Sequence, residues 1–227
     1  MAVSRALVLF DIDGTLLRRA GSHHKDALLA AVREITGHET SFDRIPTGGM
    51  LDRDLIRALL KETPARAREI EGWMPDIVRR AQEHYLSICP ELSDKVCPGV
   101  RELLQALNEA GIPAGLVTGN LTVIAWKKME ACGLRSFFDI GAFADMASTR
   151  AGIAKMAIRA ARRKGIAGPD TIISLIGDHP NDVQAAKLNG IRSIAVATGL
   201  SSFDELAACR PDALVPDLRS LRLESLL

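Results

Sequence analysis

The stretch Ala6-Leu7-Val8-Leu9-Phe10-Asp11-Ile12-Asp13-Gly14-Thr15 decides the fold. Five consecutive apolar residues with no polar alternation predict a strand covered on both faces, as in a parallel sheet. Two aspartates follow at once, so charge sits at the C-terminal end of that strand. This is the edge at which open α/β sheets bind their ligands.

Downstream of about Ser22 the rhythm changes. Ala27 to Val32, Leu51 to Lys61 and Ala65 to Ile88 carry helical patterns, with Pro64 suited to a first helical turn. No strand pattern interrupts them, and Thr47-Gly48-Gly49 reads as a turn. After Cys97-Pro98-Gly99 strands and helices alternate. Strands are predicted over Ile112 to Val117, Phe137 to Phe143, Thr171 to Ile176, Ile191 to Val196 and Ala213 to Val215. Helices are predicted over Val100 to Ala110, Leu121 to Ala131, Ile153 to Arg163, Asn181 to Leu188 and Asp204 to Ala208. Such alternation implies βαβ units. The expected fold is α/β: a Rossmann-like parallel-sheet core, 1–17 and 96–227, with an all-helical cap, 18–95, inserted into it.

With 47% hydrophobic and 25% charged residues, the chain can bury a core and keep a polar surface. Twenty-nine basic against 28 acidic residues leave no field to attract nucleic acid, and 4% aromatics offer few stacking platforms. No apolar run reaches the roughly 18 residues of a membrane span, and Met1 to Phe10 lacks a signal-peptide pattern. A cytoplasmic location is therefore expected; nothing fixes an oligomeric state. Cys89, Cys97, Cys132 and Cys209 match no zinc spacing and read as reduced packing thiols, with a Cys89–Cys97 disulfide still open.

Four segments carry polar groups to the sheet edge: Asp11 to Thr15, Leu116-Val117-Thr118-Gly119-Asn120, Arg150 with Lys155 as alternative, and Ile176-Gly177-Asp178-His179-Pro180-Asn181-Asp182. A parallel sheet would gather them in one crevice holding four carboxylates, a hydroxyl and one or two cations. Clustered carboxylates repel one another, and an oxygen-only ligand set favours a hard ion such as Mg²⁺. Magnesium commonly shares its site with phosphate oxygens, which a hydroxyl and a cation would also hold.

These segments resemble the motifs of the haloacid dehalogenase-like superfamily. Its pattern is two aspartates one residue apart followed by Gly-Thr, then a strand-ending Ser or Thr, a basic residue and an acidic pair. All four occur in order, and the helical insertion is similar to the family's helical cap. The resemblance implies Asp11 as nucleophile and magnesium ligand. It implies Asp13 as general acid and base, with a metal-binding backbone carbonyl. Asp178 and Asp182 would complete the metal site. Gly14, Thr15, Thr118, Gly119 and Asn120 would surround the phosphate. For the basic residue the resemblance favours Arg150, because it opens a helix where a loop meets the sheet edge and a related branch of small helical-cap members carries Arg there, whereas Lys155 lies inside a helical pattern and lacks the usual following Pro. Asp13 argues for phosphate esters over carbon–halogen or carbon–phosphorus bonds. The implied activity is hydrolysis of a small phosphorylated metabolite, with phosphoglycolate the first analogy. A phosphosugar mutase or a non-catalytic binding protein are the alternatives.

The neighbours admit plainer roles. Asp178 would serve as a helix N-cap, Thr118 likewise, and Arg159, Arg162, Arg163 and Lys164 as a solvated helix end. His23 and His24 read as surface residues, Trp73 and Trp126 as packing. Asp52 and Arg53, just after the glycine turn, are placed to face the crevice.

Overall fold

Strand β1, Ser4–Phe10, runs through the middle of the molecule with Ala6 to Phe10 fully buried. The computed structural model describes residues 3–18 and 21–226. Side chains alternate across a strand, and here the alternation sorts them into two layers. Leu7 and Leu9 join one apolar cluster and Ala6, Val8 and Phe10 another. Each such burial is worth roughly 1.5–3 kcal/mol for the larger side chains.

Helices α1 (His23–Thr36), α2 (Asp52–Lys61) and α3 (Ala67–Ile88) follow β1. Then come α4 (Val100–Glu109), β2 (Ala114–Val117), α5 (Thr122–Ala131), β3 (Phe138–Ala142), α6 (Arg150–Arg163), β4 (Ala167–Gly177), α7 (Pro180–Leu188), β5 (Arg192–Val196), α8 (Phe203–Ala208) and β6 (Ala213–Val215). The sheet order is β3-β2-β1-β4-β5-β6 and every neighbouring pair is parallel. Strand order reverses around β1 and β4, so the crevice lies beyond their C-terminal ends.

Helices α1 to α3 occupy the space between β1 and the rest of the sheet in sequence. The chain leaves and re-enters through neighbouring segments. Leu17 bridges Val96 in antiparallel fashion, Arg18 N–H donates to Lys95 O at 2.9 Å, and Cys97 N–H donates to Leu16 O at 2.9 Å. The apolar face of these helices, including Leu28, Ile56, Leu59 and Ile77, is continuous with the layer that covers Leu7 and Leu9.

Element boundaries differ from the sequence reading at, among others, the starts of α3 and β4. Helix α3 starts at Ala67, so Pro64 lies in the preceding loop. Its N-terminus is instead closed by Arg66 and Glu69, whose carboxylate accepts from Arg66 N–H at 2.8 Å. Pro75 sits inside α3 on its exposed side, where the carbonyl it leaves unpaired faces water. Strand β4 begins at Ala167, because its early residues pair with Ser4 through an irregularity that hydrophobic patterning does not register. All four cysteines are free thiols. No helix among the described residues is long and apolar enough to cross a membrane.

Candidate active site

The loop after β1 turns sharply at Gly14, whose φ of +90° favours glycine. A Cβ there would lie 2.2 Å from Asp178 Oδ2, so the residue is also required by space. The turn leaves Asp11 3% exposed and aims Thr15 Oγ1 at Asp178 Oδ1, 3.2 Å away. Asp178 follows β4 directly, and Gly199 crowds its other side. Helix α7 then begins with His179 as N-cap, its Nδ1 accepting from Asn181 N–H. Asp182 stands in the first turn and takes His179 N–H on Oδ2 at 3.2 Å. The other oxygen, Oδ1, is buried without a hydrogen bond. The plain reading of Asp178 as the helix cap is therefore wrong: the neighbouring histidine does that work.

Asp11, Asp178 and Asp182 each offer an oxygen such that the three lie within 4.8 Å of one another, all buried. Arg150 is the opposing charge. It is the first residue of α6, which Thr149 caps by accepting Gly152 N–H at 3.0 Å. Its Nη1 donates to Asp11 Oδ1 at 2.8 Å, and its Nε stands 3.3 Å from Asp182 Oδ1, outside hydrogen-bond geometry. One guanidinium cannot neutralise three carboxylates. Burial, followed by the charges of Asp11 and Asp182, pushes Asp178 well above the usual carboxylate range. Burial likewise raises Asp182, with Arg150 only partly opposing it. Three convergent oxygens, an orphaned buried oxygen and excess negative charge fit a hard divalent cation.

Asp13 stands apart from that trio. Both its oxygens take Lys128 Nζ at 2.7 Å, and Oδ2 also accepts from Asn120 Nδ2 at 2.8 Å. Burial alone would raise its pKa; the Lys128 charge and these hydrogen bonds outweigh that and hold it down at about 2. Lys128 is 1% exposed. Thr118 is fully buried after β2, its Oγ1 accepting Asn120 N–H at 3.3 Å.

The helical insertion touches this centre directly. A Cβ on Gly119 would meet Met50 O at 2.8 Å, and Gly119 O accepts Asp52 N–H at 2.8 Å. Asn181 Nδ2 donates to Gly49 O at 3.0 Å, and Gly49 packs against the His179 ring. A cleft of about 540 Å³ results, with Asp11, Asp13, Thr118, Asn120, Arg150 and Asp178 on one side and His24, Lys25, Met50 and Asp52 on the other.

The crevice therefore gathers Asp11, Asp13, Gly14, Thr118, Gly119, Asn120, Arg150 and Asp178, with Thr15 and Asp182 immediately behind. Lys155 is not among them: it points to solvent from the next turn of α6. Position on that helix decides the matter, since residue 150 faces the sheet edge and residue 155 the outside. Two further residues belong to the site. His24, read from the sequence as a surface residue, is 18% exposed against Asp52, and Lys128 lies outside every motif. The signal for Lys128 is its register. It falls on the apolar stripe with Leu121, Ile124 and Ala125, where a charge is costly unless paired. Arg53 does not line the cleft, whereas Asp52 does.

Comparison with known proteins agrees with this fold. The model of the family described as haloacid dehalogenase-like hydrolase matches residues 8–196. A protein named phosphoglycolate phosphatase from Shigella boydii is 26% identical, over 94% of this chain and 90% of its own. A variant of CbbY from Rhodobacter sphaeroides, solved with xylulose-(1,5)bisphosphate, superposes with TM-score 0.75 at 24% identity, covering 98% of this chain and 99% of that one. A β-phosphoglucomutase structure from Clostridium difficile gives TM-score 0.70 at 17% identity, covering 99% and 95%. At these identities the two structures establish the fold.

Proposed function

The chain belongs to the haloacid dehalogenase-like hydrolases, and we propose that it hydrolyses a small phosphate monoester through a phosphoryl group carried transiently on Asp11. The observation that carries this reading is the buried trio Asp11, Asp178 and Asp182 facing the buried cation Arg150. Such a site has an anionic nucleophile, room for a hard cation and one fixed guanidinium to receive phosphate oxygens.

Asp11, Asp178 and Asp182, with the Asp13 carbonyl, would hold Mg²⁺. Bound there, the ion supplies charge neutralisation for the carboxylates and for phosphoryl oxygens. The remaining steps belong to the chain. An Asp11 oxygen attacks phosphorus, the ester P–O bond breaks, and the departing oxygen takes a proton from Asp13. Asp13, now a carboxylate, removes a proton from water. The water oxygen attacks the same phosphorus, and the Asp11–phosphorus linkage breaks to give inorganic phosphate. Thr118, Arg150 and the backbone of Gly119 and Asn120 orient the phosphoryl oxygens. The low pKa of Asp13 while bound to Lys128 suits the second half of this cycle. For the first half the carboxyl must acquire a proton, which requires loosening that contact.

The insertion covers the crevice and restricts the leaving group to something small, as the cleft volume implies. Phosphoglycolate is the substrate to try first, because the Shigella relative bears that name. The test is phosphate release from a panel of small phosphate esters, phosphoglycolate and hexose phosphates included, with Mg²⁺ or chelator, beside Asp11→Asn. Magnesium-dependent release abolished by the substitution is expected. Positional transfer of the phosphoryl group within a sugar phosphate, without net phosphate release, would replace hydrolysis by a mutase reaction. Stoichiometric metal binding without turnover of any ester would indicate a binding protein.

A further inference from the structure

Lys128 sits where an ammonium is costly, on the apolar face of α5, and every one of its three N–H bonds finds an acceptor. Two go to the Asp13 oxygens at 2.7 Å and the third faces His24 Nδ1 at 3.2 Å. His24 is the second residue of α1. Its Nε2 faces Asp52 Oδ2 at 3.0 Å, and the same oxygen accepts Leu121 N–H at 2.7 Å. These partners dictate the tautomer: with the proton on Nε2 and directed to Asp52, Nδ1 is the acceptor that Lys128 requires. The ring is also seated edge-on against Tyr85 of α3, with centroids 5.7 Å apart. Each of the three inserted helices thus supplies one group; Asp52 and Tyr85 hold His24, and His24 alone reaches the lysine, whose remaining contacts are with Asp13.

We infer that Lys128 is a positioning residue for Asp13, and that His24, held by Asp52 and Tyr85, makes the orientation of Asp13 depend on the seating of the helical insertion. The inference rests on the reading of Asp13 as the group that activates water. When the insertion is seated, the chain Asp52–His24–Lys128 fixes the Asp13 carboxylate toward the cleft. When α1 and α2 move away, Lys128 loses its third acceptor, and its pair with Asp13 is no longer braced from the insertion. Water activation is then fastest in the covered site, where a phosphorylated Asp11 is shielded from bulk solvent.

The test uses para-nitrophenyl phosphate, whose leaving group needs no protonation, so that turnover reports hydrolysis from Asp11. Lys128→Met keeps the volume and removes the charge. His24→Phe keeps the aromatic seat on Tyr85 and removes both nitrogens. His24→Asn returns an acceptor near the Nδ1 position. The expected results are a fall in kcat of about 100-fold for Lys128→Met and about tenfold for His24→Phe. KM should change less than about threefold, and His24→Asn should recover part of the loss. Both losses should vanish in an Asp13→Asn background, because the residues act through Asp13. Losses that persist undiminished in that background would overturn the inference, as would wild-type kcat in Lys128→Met and His24→Phe with Asp13→Asn impaired. Wild-type turnover by Asp13→Asn alone would overturn the reading of Asp13 and the inference with it. Should Lys128→Met lose its cooperative thermal transition, the two His24 variants carry the test.

Discussion

Gly199→Ala perturbs the carboxylate trio proposed to hold the metal without substituting any of its members. The Gly199 backbone lies outside the left-handed region, so alanine meets no conformational penalty there. Its Cβ, however, would stand 1.6 Å from Asp178 Oδ2, 2.4 Å from Cγ and 2.8 Å from Cβ. Ordinary contact begins at 3.4 Å, so the carboxylate oxygen must retreat by about 1.8 Å or the loop must move with Thr198, which donates to Gly14 O. Magnesium accepts oxygen ligands at about 2.0–2.1 Å, and a workable site tolerates about 0.2 Å of error. A displacement many times that tolerance removes Asp178 as a ligand. We expect Mg²⁺ affinity to fall about 100-fold, phosphate release at limiting Mg²⁺ to fall in proportion, and stability to drop by roughly 1–3 kcal/mol from overpacking. Calorimetric titration with Mg²⁺ and phosphate release across Mg²⁺ concentrations measure both. Gly72→Ala is the control, since nothing lies within 4 Å of its added Cβ on exposed α3. Wild-type affinity and rate in Gly199→Ala would refute the assignment of Asp178 to the metal.

Other consequences follow from the same geometry. Arg150→Lys keeps the charge but loses the two-pronged reach to Asp11 and Asp182, and kcat should fall about 100-fold, whereas Lys155→Ala should leave steady-state kinetics unchanged. A carboxyl whose folded pKa is raised gives its full stabilisation below the unfolded value and loses it as pH climbs toward the folded one. Asp178 and Asp182 are such groups, while Asp13, held at about 2, contributes a constant amount between pH 5 and 8. In chelator, Asp178→Asn should therefore gain thermal stability relative to wild type from pH 5 to pH 8, and Mg²⁺ should raise the wild-type Tm more at pH 8; equal differences at both pH values would contradict this. Arg18 and Lys25 are exposed cations on the cleft wall, and Arg18→Ala with Lys25→Ala should lower kcat/KM several-fold at low salt and little at high salt.

The sheet was legible from sequence because its strands are either continuous apolar runs or sit between clear helices. The placement of Asp11 and Asp178 was legible for the same reason: a charge directly after a buried strand has only one place to go. Arg150 could be preferred over Lys155 because the loop before it ends at the sheet edge. The start of α3 was misread because Pro64 looks like a helix opener, whereas the bonds that close the helix come from Arg66 and Glu69. The links among His24, Asp52 and Lys128 were hard to read because they run between elements. Their sequence separations are 28 between His24 and Asp52 and 104 between His24 and Lys128, and no local pattern spans such distances. Only the register of Lys128 on an apolar stripe hinted that it was paired.

The central claim is that phosphate passes through Asp11. It is tested most directly by rapid acid quench of the protein during turnover of a phosphate ester with Mg²⁺, followed by peptide mass spectrometry. A phosphoryl adduct on the peptide containing Asp11, absent in Asp11→Asn and longer-lived in Asp13→Asn, is the predicted result. Turnover of the ester with no adduct in either wild type or Asp13→Asn would show that water attacks the ester directly, and would contradict the account.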